Sequence, residues 1–325
     1  MKKKTILVVG GAGYIGSQVN KMLHQAQYRT VVLDNLSTGN RQAVKEGIFI
    51  EGDMANSALL DQIFSEHQID AVMHFAAFIN VGESVLEPFK YYKNNVFNTI
   101  NLLEAMRRHA VKIVIFSSTA AVYGNPPNGP AKQLVETLPC HPVNPYGETK
   151  LIVEKILREG EYAYGFKSSC LRYFNAAGGD PEGEIKNYQT TSSNLIPLVL
   201  KSLKTPSGQL TIFGTDYPTA DGTCIRDYVH IYDLGLAHIL AMEKLFEGAP
   251  TSCYNLGNGN GFSVREVIAA AEKVTGLKVN CVEGARRPGD PSFLVADTNK
   301  ARRELGWRPR YPALETMIED AWRAL

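Results

Sequence analysis

"TILVVGGAGYIG", residues 5–16, runs from a short apolar stretch straight into a glycine-rich turn. Residues 5–10 read as a strand, and a helical pattern follows over Tyr14–Gln25. Gly11, Gly13 and Gly16 satisfy GxGxxG, while Gly10, Gly13 and Gly16 satisfy GxxGxxG. A turn of this kind lets backbone approach a pyrophosphate closely, and the helix N-terminus supplies N–H groups and a partial positive charge. Glycines alone are a weak signal. The next strand, "RTVVLD" (29–34), strengthens it by ending in Asp34, 18 residues after Gly16. A carboxylate there accepts hydrogen bonds from an adenosine ribose and repels a 2′-phosphate, which favours NAD over NADP.

The alternation continues along the chain. Strand patterns fall at 48–53, 70–76, 112–118 and 167–175, with helical patterns at 55–67, about 90–109 and 145–160. Near-continuous apolar strands separated by helices imply a parallel sheet covered on both faces. The expected fold class is α/β, a Rossmann-type doubly wound parallel sheet with a smaller mixed α/β C-terminal domain. After Asn175 the sequence turns Gly-rich and acidic ("AAGGDPEGE"), which puts a soft boundary near residue 176. Residues 1–176 would form the dinucleotide-binding part and 177–325 the smaller one, with chain crossings between them.

Bulk properties exclude several classes. The formal net charge of +1 leaves no footprint for nucleic acid or an anionic membrane. No apolar run approaches the ~20 residues that span a bilayer. The basic head "MKKK" precedes only Ile6–Val9 before the glycines, too short a stretch for a secretory signal. Cysteines at 140, 170, 224, 253 and 281 are odd in number and show no CxxC or Cys/His spacing. Neither a disulfide framework nor a metal site is indicated, and a reducing cytoplasm fits best.

"NPYGETK" (144–150) puts Tyr146 and Lys150 one helical turn apart, with Cβ atoms ~5–6 Å from each other. A nearby ammonium favours the phenolate, so the pair would remove a proton from an alcohol near neutral pH. The spacing by itself is common in ordinary helices. "FSSTAAVYG" (116–124) closes a strand at the edge where ligands of open α/β sheets gather, offering the hydroxyls of Ser117, Ser118 and Thr119. Strand-ending hydroxyls also serve as turn caps. Asp53 ends another strand and is either an adenine contact or a solvated loop acid.

In order along the chain stand "GGAGYIG", "LDNLSTG", "EGD", "HFAA", "VGES", "YYKNNV", "FSSTAAVYG", "NPYGETK", "LRYFNAAG", "IFGTDYPTADGTCIRDYVH" and "RRPGD". Over nearly the whole length the sequence resembles the extended short-chain dehydrogenase/reductases and, within them, the UDP-glucose 4-epimerases. The resemblance implies interconversion of UDP-glucose and UDP-galactose through transient oxidation at C4, with return of hydride to the opposite face of a 4-keto sugar. It implies Thr119, Tyr146 and Lys150 as the catalytic set, with Lys150 also on the nicotinamide ribose. Tyr14, Ile15, Asp34, Asn35, the turn Leu36, Ser37, Thr38 and Gly39, and Asp53, Met54, Phe75, Asn94 and Phe174 would line tightly bound NAD. Asn175, Asn194, Phe213, Arg226, Arg287 and Asp290 would hold the UDP-sugar, with Leu294 setting pocket width. A homodimer through helices near 90–109 and 145–160 is implied as well.

The sequence departs from the family pattern in two places. Ile79 replaces a lysine near the cofactor phosphates, and Glu148, expected to face solvent, stands beside the Tyr/Lys pair. Three rival activities are weakened by the residues present. A 4,6-dehydratase would carry Asp and Glu where Ala120 and Ala121 stand. A UDP-glucuronate epimerase or decarboxylase would need cations facing the sugar carboxylate. A non-catalytic NAD-responsive protein would have no need of an intact Thr/Tyr/Lys set.

Overall fold

A computed structural model describes residues 3–125, 133–188, 194–287 and 290–325. Its strands are β1 (Thr5–Val9), β2 (Arg29–Asp34), β3 (Ile48–Glu51), β4 (Ala71–His74), β5 (Ile113–Thr119), β6 (Lys167–Tyr173), β7 (Asn175–Ala177), β8 (Leu210–Phe213), β9 (Ile225–His230), β10 (Ser252–Leu256), β11 (Gly261–Ser263), β12 (Cys281–Gly284) and β13 (Phe293–Leu294). Its helices are α1 (Tyr14–Gln25), α2 (Ser57–His67), α3 (Val81–Leu86), α4 (Pro88–Tyr91), α5 (Asn98–Arg108), α6 (Pro145–Tyr164), α7 (Leu195–Lys204), α8 (Ile231–Phe246), α9 (Val264–Thr275), α10 (Asn299–Leu305) and α11 (Leu314–Ala324).

The main sheet has seven parallel strands in the order β10-β6-β5-β4-β1-β2-β3. Strand β1 shows how it is wound. Side chains of successive residues leave a strand on opposite faces. Ile6 and Val8 accordingly join the core beneath α1 and α8, while Leu7 and Val9 join the one beneath α2, α5 and α6. Both faces are therefore apolar, as a doubly wound sheet requires. The order reverses at β1, which pairs with both β2 and β4. The chain ends leaving these strands carry Gly10, Asp34, Phe75, Thr119 and Phe174 toward one edge.

Segments after the boundary expected near residue 176 return to the main sheet. Helix α8 packs against α1, and β10 supplies the seventh strand by pairing with β6. Beyond the main sheet, β9 pairs in parallel with β7 and β13 and antiparallel with β11, while β8 and β12 form a parallel pair. Helices α7, α9 and α11 cover this second layer around Val199, Val267 and Ile318.

One expected element differs. The helix read over about 90–109 is broken into α4, a π-helical turn Tyr92–Phe97, and α5. The cause lies at Asn95, whose side chain accepts from Phe78 N at 2.9 Å and donates to Phe78 O at 3.0 Å. It also reaches the Thr149 hydroxyl at 3.2 Å. An extra residue in the turn swings Asn95 inward, and such bulges recur at functional sites.

Candidate active site

Helix α6 starts where its sequence says it should. Asn144 caps it by accepting from Gly147 N at 2.8 Å, and Pro145 fills the first helical position. Tyr146 thus lies in the first turn and Lys150 in the next. Gly147 is required by close approach, since a Cβ there would sit 2.7 Å from Ala121 O. That contact lays α6 against the turn Ala120–Tyr123 that follows β5. Thr119 Oγ1 caps this turn, accepting from Ala121 N at 3.2 Å, and lies beside the Tyr146 phenol.

The three hydroxyls that end β5 have separate partners. Ser117 pairs with the Tyr173 hydroxyl, and Ser118 donates to Glu154 Oε1 at 2.5 Å. Of the three, Thr119 reaches Tyr146. Lys150 is buried, donates to Ser117 O at 2.8 Å and lies 4.9 Å above the Phe116 ring.

The charge balance differs from the sequence expectation that Lys150 depresses the phenol. Burial pushes the Tyr146 phenol up, opposed by the Thr119 hydroxyl. Burial also brings the Lys150 ammonium down to about 7, opposed by the Glu154 carboxylate. Desolvation disfavours the charged form of each group and outweighs their neighbours. His74, beneath Lys150, is brought down to about 3 by burial and then by the lysine charge, so it is neutral. Glu148 is half-buried instead of fully solvated, and its charge adds to burial in raising the Tyr92 phenol.

The glycine turn is shaped for an anion. Gly10 has φ +82, and a Cβ there would lie 2.5 Å from Ala76 N. Gly11, Gly13 and Gly16 complete the turn. Helix α1 begins at Gly13 with no side-chain cap and no acidic residue in its first turn, so its N-terminal field is not neutralised locally. These residues fit a dinucleotide pyrophosphate. Ile15 is half-buried there, and the Tyr14 hydroxyl donates to Gly178 O at 2.6 Å.

Asp34 is buried and accepts from Ala12 N at 2.9 Å and Leu36 N at 2.8 Å. Burial raises its carboxyl, and these two N–H groups oppose the shift. Leu36 takes φ +57, which is uncommon for a non-glycine residue and turns the 36–39 loop back over the glycine turn. Ser37 N donates to Asn35 Oδ1 at 3.0 Å, and Thr38 and Gly39 continue the loop. Asn35 donates to Asp53 Oδ2 at 2.7 Å, which joins the ends of β2 and β3. Met54 is buried beside them, and the Phe75 ring meets His238 in a tilted contact with centroids 4.8 Å apart. Asn94 donates to Asn95 in the π turn at 3.0 Å.

The residues assigned to a UDP-sugar fall mostly on the second layer. Arg226 pairs with Asp290 at 2.7 Å, and Arg287 lies 4.2 Å above the Phe213 ring. Asn175 donates to Asp227 O at 2.8 Å, beside Arg226. Asn194 stands exposed at the head of α7. Leu294 is in register with Arg226 and packs, as Phe174 does, against the cluster of Ala120, Val122, Tyr123, Leu134 and Leu151. It therefore connects the Arg226 strand to the hydrophobic cluster around the turn Ala120–Tyr123. Ile79 is exposed, at 55 %.

Residues 6–257 match the NAD dependent epimerase/dehydratase family. The chain belongs to that family. A UDP-glucose 4-epimerase from Halalkalibacterium halodurans is 50 % identical over 98 % of this chain and 94 % of its own. The crystal structure of UDP-glucose 4-epimerase from Brucella ovis in complex with NAD superposes with a TM-score of 0.95 at 44 % identity, covering 98 % of this chain and 97 % of that one. The UDP-Glc/GlcNAc 4-epimerase from Campylobacter jejuni gives 0.87 at 40 % identity, covering 99 % and 98 %. Within this epimerase family the short-chain dehydrogenase/reductase reading and the Rossmann-type fold both hold.

Sequence reasoning passed over Tyr173, His238 and the Glu154–Arg172 pair. A signal existed for Glu154, which continues the Tyr146, Lys150 series by one more four-residue step. His238 carried none, because only the return of α8 to the main sheet brings it beside Phe75 and Tyr173.

Proposed function

We propose that this protein is an NAD-dependent UDP-glucose 4-epimerase that interconverts UDP-glucose and UDP-galactose. The observation that carries the reading is the junction of β5 and α6, where Gly147 lies against Ala121 O and brings Tyr146 beside Thr119, one turn before the buried Lys150. The glycine turn, Asp34, Asn35 and Asp53 would hold NAD, with Phe75, Asn94 and Phe174 beside them. When bound, NAD supplies the redox capacity for oxidation and reduction at C4. Tyr146 takes the 4-hydroxyl proton and later returns it, while Thr119 orients the phenol. Lys150 holds the nicotinamide ribose. Arg226 and Arg287 suit a diphosphate, because planar guanidinium groups bind two oxygens at once. Phe213, Asn175, Asn194 and Asp290 complete the anchor, which stays fixed while the keto sugar turns over. Ala120 and Ala121 leave no acid–base pair for elimination. The test is to supply UDP-galactose to the purified protein without added cofactor. Appearance of UDP-glucose supports the reading, and its absence even with added NAD overturns it.

Substrate width rests on Leu294. It is half-buried between the Arg226 strand and the catalytic turn, and offers no hydroxyl to an acetamido group. Apolar pockets discriminate by only ~1–3 kcal/mol per small steric change. UDP-glucose and UDP-galactose are then the main substrates and UDP-N-acetyl sugars slow ones. Leu294→Tyr is expected to suppress the N-acetyl activity and Leu294→Ser to enhance it. Equal losses on both sugar pairs would assign Leu294 to stability alone.

A homodimer is also proposed. Leu86, Phe89 and Phe97 are 81 %, 87 % and 58 % exposed along α3, α4 and the π turn. Apolar clusters of this kind mark association surfaces, and one surface meeting its own copy closes a two-fold dimer. Phe89→Asp should convert a dimeric species to monomer by light scattering. A wild-type mass equal to one chain rules the dimer out. Five free thiols suit a reducing cytoplasm, and the substrate pair suits galactose metabolism. Among the described residues no helix is long and apolar enough to cross a membrane.

A further inference from the structure

Behind Lys150 lies a buried charged lattice that the reaction as described does not use. Glu154 is one turn beyond Lys150 on α6, and Arg172 projects from β6. Their side chains are 6 % and 7 % exposed. Arg172 binds Glu154 through Nε at 2.9 Å and Nη2 at 2.6 Å. Its Nη1 donates to the Tyr123 hydroxyl at 3.0 Å, and Tyr123 donates to Asn255 Oδ1 at 2.7 Å. Ser118, next to Thr119, donates to the same Glu154 carboxylate.

We propose that Glu154 and Arg172 are positioning residues of the catalytic site. Through Ser118 and Tyr123 they fix the strand end and the turn on either side of Thr119 against the face of α6 that carries Tyr146 and Lys150. The proposal rests on the reading of Tyr146 and Lys150 as a catalytic pair.

The lattice has an electrostatic side as well. From α6, Lys150 faces Glu154; from β4 it faces the neutral His74; from β5 it meets the Phe116 ring and Ser117 O. Glu154 is the carboxylate that supports the ammonium, opposing the loss of charge caused by burial. Glu154 itself faces Arg172, Ser118 and, at 3.9 Å, the Cys253 thiol. A buried ion pair adds little net stability over an apolar replacement. Its bonds to Ser118 and Tyr123 are better accounted for by alignment.

The experiment compares Glu154→Gln with wild type. Glutamine keeps the shape and most of the hydrogen bonds but removes the charge. The expected result is a kcat at least ~10-fold lower with KM within about twofold, because alignment and not substrate anchoring is lost. The alkaline limb of the kcat profile should also move to lower pH, since Lys150 loses the charge that favours its protonated form. Glu154→Gln/Arg172→Met leaves no orphaned guanidinium; it serves if the single variant does not fold, and the same downward movement is expected. Lower thermal stability with an unmoved pH profile and unchanged kcat in folded protein overturns the proposal. A wild type that loses turnover through Tyr146→Phe, together with that outcome, confines the failure to the lattice. Equal turnover by wild type and Tyr146→Phe overturns the parent reading and this proposal together.

Discussion

Tyr146→Phe is expected to lower turnover of UDP-galactose by ~10²–10⁴-fold, the usual cost of losing a positioned acid–base group. Phenylalanine keeps the ring and its packing, so the change is confined to one hydroxyl. Thr119 loses a polar neighbour, while its cap on Ala121 N at 3.2 Å remains. Binding of UDP should stay within a few-fold of wild type, because Arg226, Arg287 and Phe213 belong to the second layer. Steady-state turnover and UDP titration on the same preparation separate the two effects. Turnover within tenfold of wild type would remove Tyr146 from the chemistry. A parallel collapse of UDP affinity would mean the variant damages the pocket.

Lys150→Met is expected to stabilise the fold while suppressing activity. Burial brings the lysine to about 7 in the folded chain, against ~10.4 for an unperturbed lysine. Between those values the unfolded chain binds more protons than the folded one. Unfolding free energy therefore rises with pH there, by at most ~1.4 kcal/mol per pH unit. Below the folded value both forms carry the proton, and the full cost of burying the charge remains. Methionine carries no such cost. Its advantage over wild type should be largest near neutral pH and below, and should shrink as pH rises toward ~10. Urea unfolding at about pH 6.5, 8 and 9.5, on protein of matched nucleotide content, measures it. A difference independent of pH would show that Lys150 keeps its charge in the fold. Sites that hold a strained or desolvated group often give up stability for function.

The glycine turn, the Asp34 strand end and the start of α6 were legible because each depends on a local rule. Glycines between strand and helix, an acid closing the second strand, and Asn-Pro before Tyr146 all act within a few residues. The break at Tyr92–Phe97 was hidden for the opposite reason. Its cause is Asn95 reaching Phe78 and Thr149, 17 and 54 residues away. Arg172 was passed over because its partner Glu154 lies on a different element. The Lys150–Tyr146 charge balance was read from spacing alone. Spacing gives proximity but not depth, and here depth dominates. The arginine cluster, by contrast, was found through resemblance; nothing local tells Arg226 or Arg287 from a surface ion pair.

Strand β10 also bears on how the molecule is made. The proposed catalytic residues Thr119, Tyr146 and Lys150 all lie before residue 165, yet among the described residues the outer edge of β6 is covered by Ser252–Leu256. During synthesis that edge must wait while residues 174–251 emerge. An uncovered strand edge is a template for pairing with other chains, and non-local parallel pairing is slow to form. The chain therefore has a vulnerable interval late in translation, when its chemistry-bearing half is complete but cannot close. Chaperone demand and loss to aggregation should concentrate in that interval.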